Sequence, residues 1–104
     1  MRSRYCAYKL HLAKYIIKTT HKQNVDYKSN TLEWEEEILD FCHSCSFEKL
    51  EIKEYIDGSV EAFVTFRATT LCDTKDYSFT EKSKFKKEFN KWYYFSGCFL
   101  DNLL

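Results

Sequence analysis

Glu81 is the residue whose type and position most clearly suggest chemistry in this aromatic-rich sequence. The alternation around it predicts a strand and places Glu81 on the same face as Phe79 and Phe85. A carboxyl group on an apolar face needs a hydrogen-bond partner or must take up a proton. We therefore predict either a pocket acid or base, or a structural carboxylate that accepts hydrogen bonds from groups such as Arg4 or Tyr5.

His21 is the second candidate, because an imidazole can exchange protons near neutral pH. It follows the first predicted helix, where it could serve as a general base or a hydrogen-bonding group beside Glu81. The alternative is a histidine that the negative end of the helix dipole favours at that place. Trp92 and Tyr94 share one face of the last predicted strand, so they would line or fill the same pocket.

The five cysteines predict neither a metal site nor a disulfide framework. Cys42 and Cys45 form one C-x-x-C pair, whereas a structural zinc site usually needs four ligands, often from two such pairs. We place both sulfurs on the buried stripe of a helix and expect no cofactor. Because the cysteine count is odd and the opening residues lack a secretory signal, we expect reduced thiols in a cytoplasmic protein.

The charges predict no strong overall attraction to nucleic acid, since sixteen Lys and Arg balance sixteen Asp and Glu. A lysine group near one predicted hairpin is interleaved with Tyr93 and Phe95, as in a surface that stacks single strands. The alternative is a solvated sheet face that neighbouring glutamates neutralise. No apolar run reaches the roughly 20 residues of a membrane helix, so no membrane partner is expected. The lysines are Lys82, Lys84, Lys86, Lys87 and Lys91, and the glutamates are Glu51, Glu61 and Glu88.

Apolar spacing predicts helices in the first half of the chain and strands in the second. Steps of three and four predict one helix from the start to about residue 19, and a second helix that Asn30 caps. Alternation then predicts four strands with a tight turn at Asp57 and Gly58. The fold class is α+β, with N-terminal helices packed on a curved antiparallel four-stranded sheet in a single domain, 1–104. The predicted strands cover 47–56, 60–69, 77–86 and 92–95.

Five short motifs in order resemble the middle domain of the YchJ-type bacterial family. They are MRSRYCAY at 1–8, YIIKTTH at 15–21, FVTF at 63–66, EKSKF at 81–85, and KWYY at 91–94 followed by Gly97. The resemblance implies an NTF2-like (cystatin-like) cone, in which helices cover the concave side of a curved sheet and leave a pocket. Thr20, Lys22 and Phe66 stand where the family usually has Trp, Pro and Arg.

The resemblance leaves several classes of function open, because NTF2-like folds host both enzymes and binding proteins. The family commonly carries zinc-binding SEC-C motifs on its flanks; this sequence shows none, so we expect no zinc-dependent docking. We expect a non-catalytic binding or accessory module that forms a homodimer through the outer sheet face, as NTF2-like domains often do. The alternatives are an RNA- or ribosome-associated protein, and a small-molecule binder or lyase/isomerase-type enzyme. The pocket of this small-molecule binder or enzyme would contain Glu81, His21, Arg4, Tyr5, Trp92 and Tyr94.

Overall fold

Helices form the first part of the computed structural model, which describes residues 2–100. They are α1 (Arg2–Lys9), α2 (Ala13–Lys18) and α3 (Thr31–Ser44). The single first helix that we predicted is wrong, because His11 has a φ of 60°. That left-handed conformation interrupts a right-handed helix and separates α1 from α2. None of the described helices is long and apolar enough to cross a bilayer.

The prediction for α3 is confirmed at its start and wrong at its end. The Asn30 side chain accepts a hydrogen bond from the Glu33 amide at 3.2 Å, which satisfies one of the unpaired donors of the first turn. Cys45 has extended backbone angles and begins the first strand, so it does not extend the helical stripe. The stripe packs against α1 and α2 in one apolar cluster, formed by Ala7, Ala13, Ile16, Trp34, Ile38 and Cys42.

Five strands follow the helices: β1 (Cys45–Ile56), β2 (Glu61–Cys72), β3 (Lys75–Asp76), β4 (Phe79–Glu88) and β5 (Lys91–Phe99). They form an antiparallel sheet with the order β1-β2-β4-β5 and the two-residue β3 beside β2. The four long strands match the four predicted, and the last extends four residues beyond the predicted end. Register shifts occur twice within β1 and once between β4 and β5. Such irregularities bend and twist a sheet.

The two faces of the sheet follow the predicted alternation. Ala62, Val64, Phe66 and Ala68 of β2 are buried, and so are Glu81, Ser83 and Phe85 of β4. These residues form the inner face, which the helices cover. Lys82, Lys84 and Lys86 of β4 alternate with them and form the outer face. The parity that placed Glu81 among apolar residues is therefore confirmed, because no irregularity interrupts the pairing of β2 with β4.

Residues 19–21 pair with β5 along the free edge of the sheet. Thr20 forms an isolated parallel bridge with Tyr94. The Tyr94 amide donates to the Thr19 carbonyl at 2.7 Å, and the His21 amide donates to the Tyr94 carbonyl at 2.9 Å. The end of α2 is thus fixed to the middle of β5.

The expectation that every cysteine is a reduced thiol is wrong for two of the five. Cys45 and Cys72 pair directly across β1 and β2 and are joined by a disulfide bond. Sequence spacing could not reveal this pairing, because it depends on the register of the two strands. Cys6, Cys42 and Cys98 are free. The cytoplasmic location stays a prediction that no longer has the support of a fully reduced chain.

We expect Cys72→Ser to lower the free energy of unfolding by about 2–4 kcal/mol, because the bond constrains a long loop of the unfolded chain. The cysteines are 27 residues apart in the sequence. Urea unfolding of oxidised protein measures the change, and a reductant should reproduce it in the wild type. Cys98→Ser, at an exposed free thiol, is the matched control. Equal stability of wild type and Cys72→Ser under oxidising conditions would contradict the structural role.

Candidate functional site

A cavity of about 610 Å³ lies between the helices and the inner face of the sheet. Its size falls within the range of small-molecule sites. Aromatic side chains from α1, α3 and the sheet make up much of its wall, and Arg4, Glu81 and Tyr94 supply polar groups. A smaller cavity of about 370 Å³ shares Arg4, Tyr8 and Tyr94 with it. We call the larger space the cone cavity; its aromatic wall includes Tyr5, Tyr8, Phe41, Phe47, Phe66, Phe79 and Phe99.

Glu81 brings a carboxylate to the wall of the cone cavity, with only 9% of the residue exposed. The Ser83 hydroxyl donates a short hydrogen bond to Glu81 Oε2, and the Tyr94 hydroxyl donates to the same oxygen at 3.1 Å. Glu81 Oε1 accepts no hydrogen bond from the residues that the structure describes. One oxygen is therefore held in place by the protein, and the other is left for a further donor.

The partners of Glu81 differ from the predicted pair, Arg4 and Tyr5. The Tyr5 hydroxyl is buried and has no hydrogen-bond partner within residues 2–100, although its ring lines the same cavity. Parity could have identified Ser83, which lies on the same strand face two residues after Glu81. The role of Tyr94 depends on how β5 pairs with β4, which the sequence pattern did not specify.

Arg4 is buried and binds the end of α2, without a carboxylate at ion-pair distance among the described residues. Its Nη1 donates to the Ile16 carbonyl at 3.0 Å, to the Thr19 hydroxyl at 2.6 Å and to the Thr20 hydroxyl at 3.3 Å. The guanidinium carbon lies 4.7 Å from the centre of the Tyr94 ring. Cationic groups are favoured beside the last carbonyls of a helix and over an aromatic face, so the buried charge is well placed.

Two pKa shifts describe the electrostatics of this region. Burial lowers the pKa of the Arg4 guanidinium, while Tyr8, Tyr94 and Glu81 act in the opposite direction. Burial and, after it, the neighbouring Glu81 raise the pKa of the Tyr94 hydroxyl. Tyr94 therefore keeps its proton and donates a hydrogen bond to Glu81. The Arg4 guanidinium thus contacts the Tyr94 ring, and the Tyr94 hydroxyl contacts the Glu81 carboxylate.

Gly97 makes room for this arrangement on β5. A Cβ atom at this position would lie 2.3 Å from the Tyr94 hydroxyl oxygen and 2.6 Å from the Glu81 carboxyl carbon. Real Cβ atoms do not approach other atoms so closely, so a side chain here would displace the carboxylate or the phenol. The sequence identified this glycine only as part of the family motif and did not predict its close approach to Glu81 and Tyr94.

His21 lies outside the cone cavity, in contrast to the predicted partnership with Glu81. Its ring packs edge-on against Tyr93 and Phe95, which alternate with Tyr94 and face the outer side of β5. His21 Nε2 is 2.8 Å from Glu88 Oε1, and the Gln23 amide donates to His21 Nδ1 at 3.0 Å. The proton of the neutral ring is therefore on Nε2 and points to Glu88.

Trp92 also lies outside the cone cavity, although it shares a strand face with Tyr94. It lines a separate cleft near the start of β5. The predicted pocket residues therefore fall into three groups: Arg4, Tyr5, Glu81 and Tyr94 meet at the cone cavity, Trp92 lies in the separate cleft, and His21 lies on the outer face. No cluster of three or more His, Cys, Asp or Glu that could hold a metal ion occurs within residues 2–100.

On the outer face of the sheet, lysine side chains lie over aromatic rings. Lys82 Nζ lies 5.2 Å from the Phe63 ring, and Lys86 Nζ lies 3.8 Å from the Phe95 ring. Lys84 pairs with Glu61 at 3.2 Å. This arrangement fits the solvated face that we considered as the alternative to a nucleic-acid surface, because stacking bases would have to displace the lysines.

Comparison with known proteins places this chain among one group of relatives. Residues 1–97 match the family described as YchJ, middle NTF2-like domain. A UPF0225 protein of Vibrio parahaemolyticus is 39% identical over 101 residues, which cover 95% of this chain and 57% of that protein. A UPF0225 protein of Pectobacterium carotovorum is 30% identical over 102 residues, which cover 93% of this chain and 63% of that protein. The chain thus spans less than two thirds of these relatives.

Solved structures confirm the NTF2-like α+β fold. The solution structure of RPA3114, a SEC-C motif containing protein from Rhodopseudomonas palustris, superposes with a TM-score of 0.81 at 26% identity. The match covers 94% of this chain and 73% of that one. A variant of Rd1NTF2_05 superposes with a TM-score of 0.63 at 10% identity, covering 89% of this chain and 86% of that one. The second match concerns the fold alone.

We expect Gly97→Ala to destabilise the protein by about 1–3 kcal/mol, because the added methyl group has no space beside Glu81 and Tyr94. Chemical denaturation measures the loss. In a Glu81→Ala/Tyr94→Phe background, the atoms that the methyl group would meet are removed, so the same substitution should cost much less. An equal cost in both backgrounds would show that Gly97 is needed for another reason.

Proposed function

The chain belongs to the YchJ family through its NTF2-like middle domain, and we propose that this domain is a non-catalytic module that binds a small molecule in the cone cavity. The names of the relatives state no activity, so the proposal depends on the site itself. The observation that carries it is the combination of a cavity of about 610 Å³ with the buried carboxylate of Glu81 in its wall, whose Oε1 accepts no hydrogen bond from the described residues.

The composition of the wall indicates the chemical class of the ligand. The aromatic side chains favour a largely apolar body, because binding pockets gain most of their affinity from such surfaces. Glu81 Oε1 favours an N–H or O–H donor on that body, since a carboxylate oxygen that is removed from water needs a donor. The ligand that fits best is a small apolar molecule with one donor group, such as an amine, a phenol or an amide.

The same geometry favours binding over the enzyme alternative. An acid and a base that act together must be within hydrogen-bond reach of a common substrate atom. Glu81 faces the cone cavity, whereas the His21 imidazole faces the outer side and is engaged by Glu88 and Gln23. Neither an imidazole nor a thiol is found among the described residues that line the cavity.

RNA or ribosome association has less structural support than ligand binding in the cone cavity. The aromatic rings of the outer face already contact lysines of the same chain. Binding there would be purely electrostatic, and the balanced charge of the chain supplies no strong field. We therefore do not propose it as the function of this domain.

The proposal predicts that protein purified gently from its own cells carries a small molecule that native mass spectrometry detects as a reproducible extra mass. The Glu81→Gln variant should lose this mass, because the amide presents a donor of its own towards the ligand donor. Glu54→Gln, at an exposed position of β1, is the matched control and should keep the mass. Glu81→Gln should also unfold at the same denaturant concentration as the wild type. Unchanged stability would show that Glu81 is needed for binding and not for folding.

The opposite pattern would contradict the proposal. A purely structural Glu81 predicts that Glu81→Gln costs about 1–3 kcal/mol in stability, because the hydrogen bonds at Oε2 are disturbed. Wild-type protein without any retained mass, and without a thermal shift in a panel of small aromatic amines and phenols, would favour an accessory module that binds other proteins.

The homodimer through the outer sheet face stays a prediction. Tyr93 and Phe95 are half-buried on that face, and the surrounding charges have both signs. We expect sedimentation equilibrium to give twice the monomer mass, and Phe95→Glu to give monomers because it places a charge in the centre of the contact. Tyr77→Glu, at an exposed position between β3 and β4, is the control. A monomeric wild type at high concentration would remove the dimer.

A further inference from the structure

A second cavity, of about 460 Å³, opens between the start of α1, the helix α2 and the first residues of β5. Arg4 is the one lining residue that it shares with the cone cavity. It is therefore a separate site, with its own chemistry. We call it the basic cleft; its walls include Ser3, Tyr15, Lys18, Phe85, Lys91 and Trp92.

The basic cleft concentrates positive charge in a chain whose charges cancel overall. Lys18, Lys91 and Arg4 line it, and no carboxylate is found among its described lining residues. Neither Lys18 nor Lys91 forms an ion pair with a carboxylate anywhere in residues 2–100. Glu88 lies opposite Lys91 in the strand register, but the described side chains of the two residues are not at ion-pair distance. Unneutralised cations around a concave surface attract anions.

The same cleft offers an aromatic surface beside the cations. Trp92 is 37% exposed, and Lys87 Nζ lies 5.8 Å from the centre of its ring, farther than Lys82 and Lys86 lie from the rings that they cover on the outer face. The Tyr15 hydroxyl donates to the Ser3 hydroxyl at 2.6 Å, so the proton of Ser3 remains available to a ligand. The Nη1 donors of Arg4 are already engaged by α2. Arg4 contributes its charge to the cleft, and the two lysines and Ser3 supply further donors.

We propose that the basic cleft binds a small aromatic anion, with its phosphate or carboxylate group held by Lys18 and Lys91 and its ring against Trp92. An ammonium group is a compact point charge that suits a phosphate or carboxylate oxygen, and an exposed indole suits a flat ring. The cone cavity favours the opposite kind of ligand, because its charged acceptor is a carboxylate. The two sites would thus take different molecules.

Titrations with adenosine monophosphate and with phenyl phosphate test the proposal, with two-dimensional NMR of the two indole N–H groups as the readout. We expect the signal of Trp92 to shift with either probe, and that of the buried Trp34 to stay in place. Adenosine, which lacks the phosphate, should produce a much smaller shift at the same concentration. Added salt should weaken the binding, because the attraction depends on exposed charges.

Charge reversal at the two lysines separates this site from the rest of the surface. The Lys18→Glu/Lys91→Glu variant should bind either probe at least about tenfold more weakly, since two attractive charges become repulsive. Lys14→Glu, on the same helix but outside the cleft, should bind as the wild type does. Glu81→Gln should also bind normally, which distinguishes this cleft from the cone cavity.

Three results would overturn the proposal: no shift of Trp92 with either probe up to about 10 mM, equal binding of adenosine and adenosine monophosphate, or unchanged binding in the double variant. A folded double variant is recognised by an otherwise unchanged NMR spectrum. If it does not fold, the single variants Lys18→Glu and Lys91→Glu answer the same question, because each should weaken the binding.

Discussion

The buried guanidinium of Arg4 is the group on which the arrangement of this molecule depends. It joins α1 to the last carbonyl and hydroxyl groups of α2, and it lies over the ring of Tyr94 in β5. A buried charge of this kind is tolerated only where every neighbour compensates for the lost water. Because Arg4 belongs to α1 and these neighbours belong to the end of α2 and to β5, the charge fixes the positions of the three elements relative to one another.

The consequences of that contact extend to the candidate site. The guanidinium lies over the ring of Tyr94, and residues 19–21 bind the Tyr94 backbone. The position of the Tyr94 hydroxyl is therefore fixed, and it contacts Glu81 Oε2. Gly97 leaves the space for this meeting. The position of the carboxylate in the cone cavity is thus determined by its protein neighbours, and a rigid acceptor of this kind suits binding because little order is lost when a ligand arrives.

Much of the fold could be predicted from the sequence, because strand alternation and the Asn30 cap are local signals. The burial of Glu81 followed from parity alone. The break at His11 could not be predicted from apolar spacing, since the same stripe continues on both sides of it. The positions of His21 and Trp92 depend on how residues 19–21 pair with β5, and the bond between Cys45 and Cys72 depends on strand register. These are long-range relationships, which a periodic pattern does not contain.

The short bridge between Thr20 and Tyr94 also bears on how the molecule behaves among its own copies. β5 is the last strand of the sheet, and a free last strand offers unpaired amides and carbonyls to any other strand that approaches. Residues 19–21 occupy these groups in the middle of β5 and so interrupt the row. At the other end of the sheet, β1 has two register irregularities, and four of its eight exposed residues are charged. Both sheet edges are therefore poor templates for strand addition, which disfavours the growth of fibrils from the folded state.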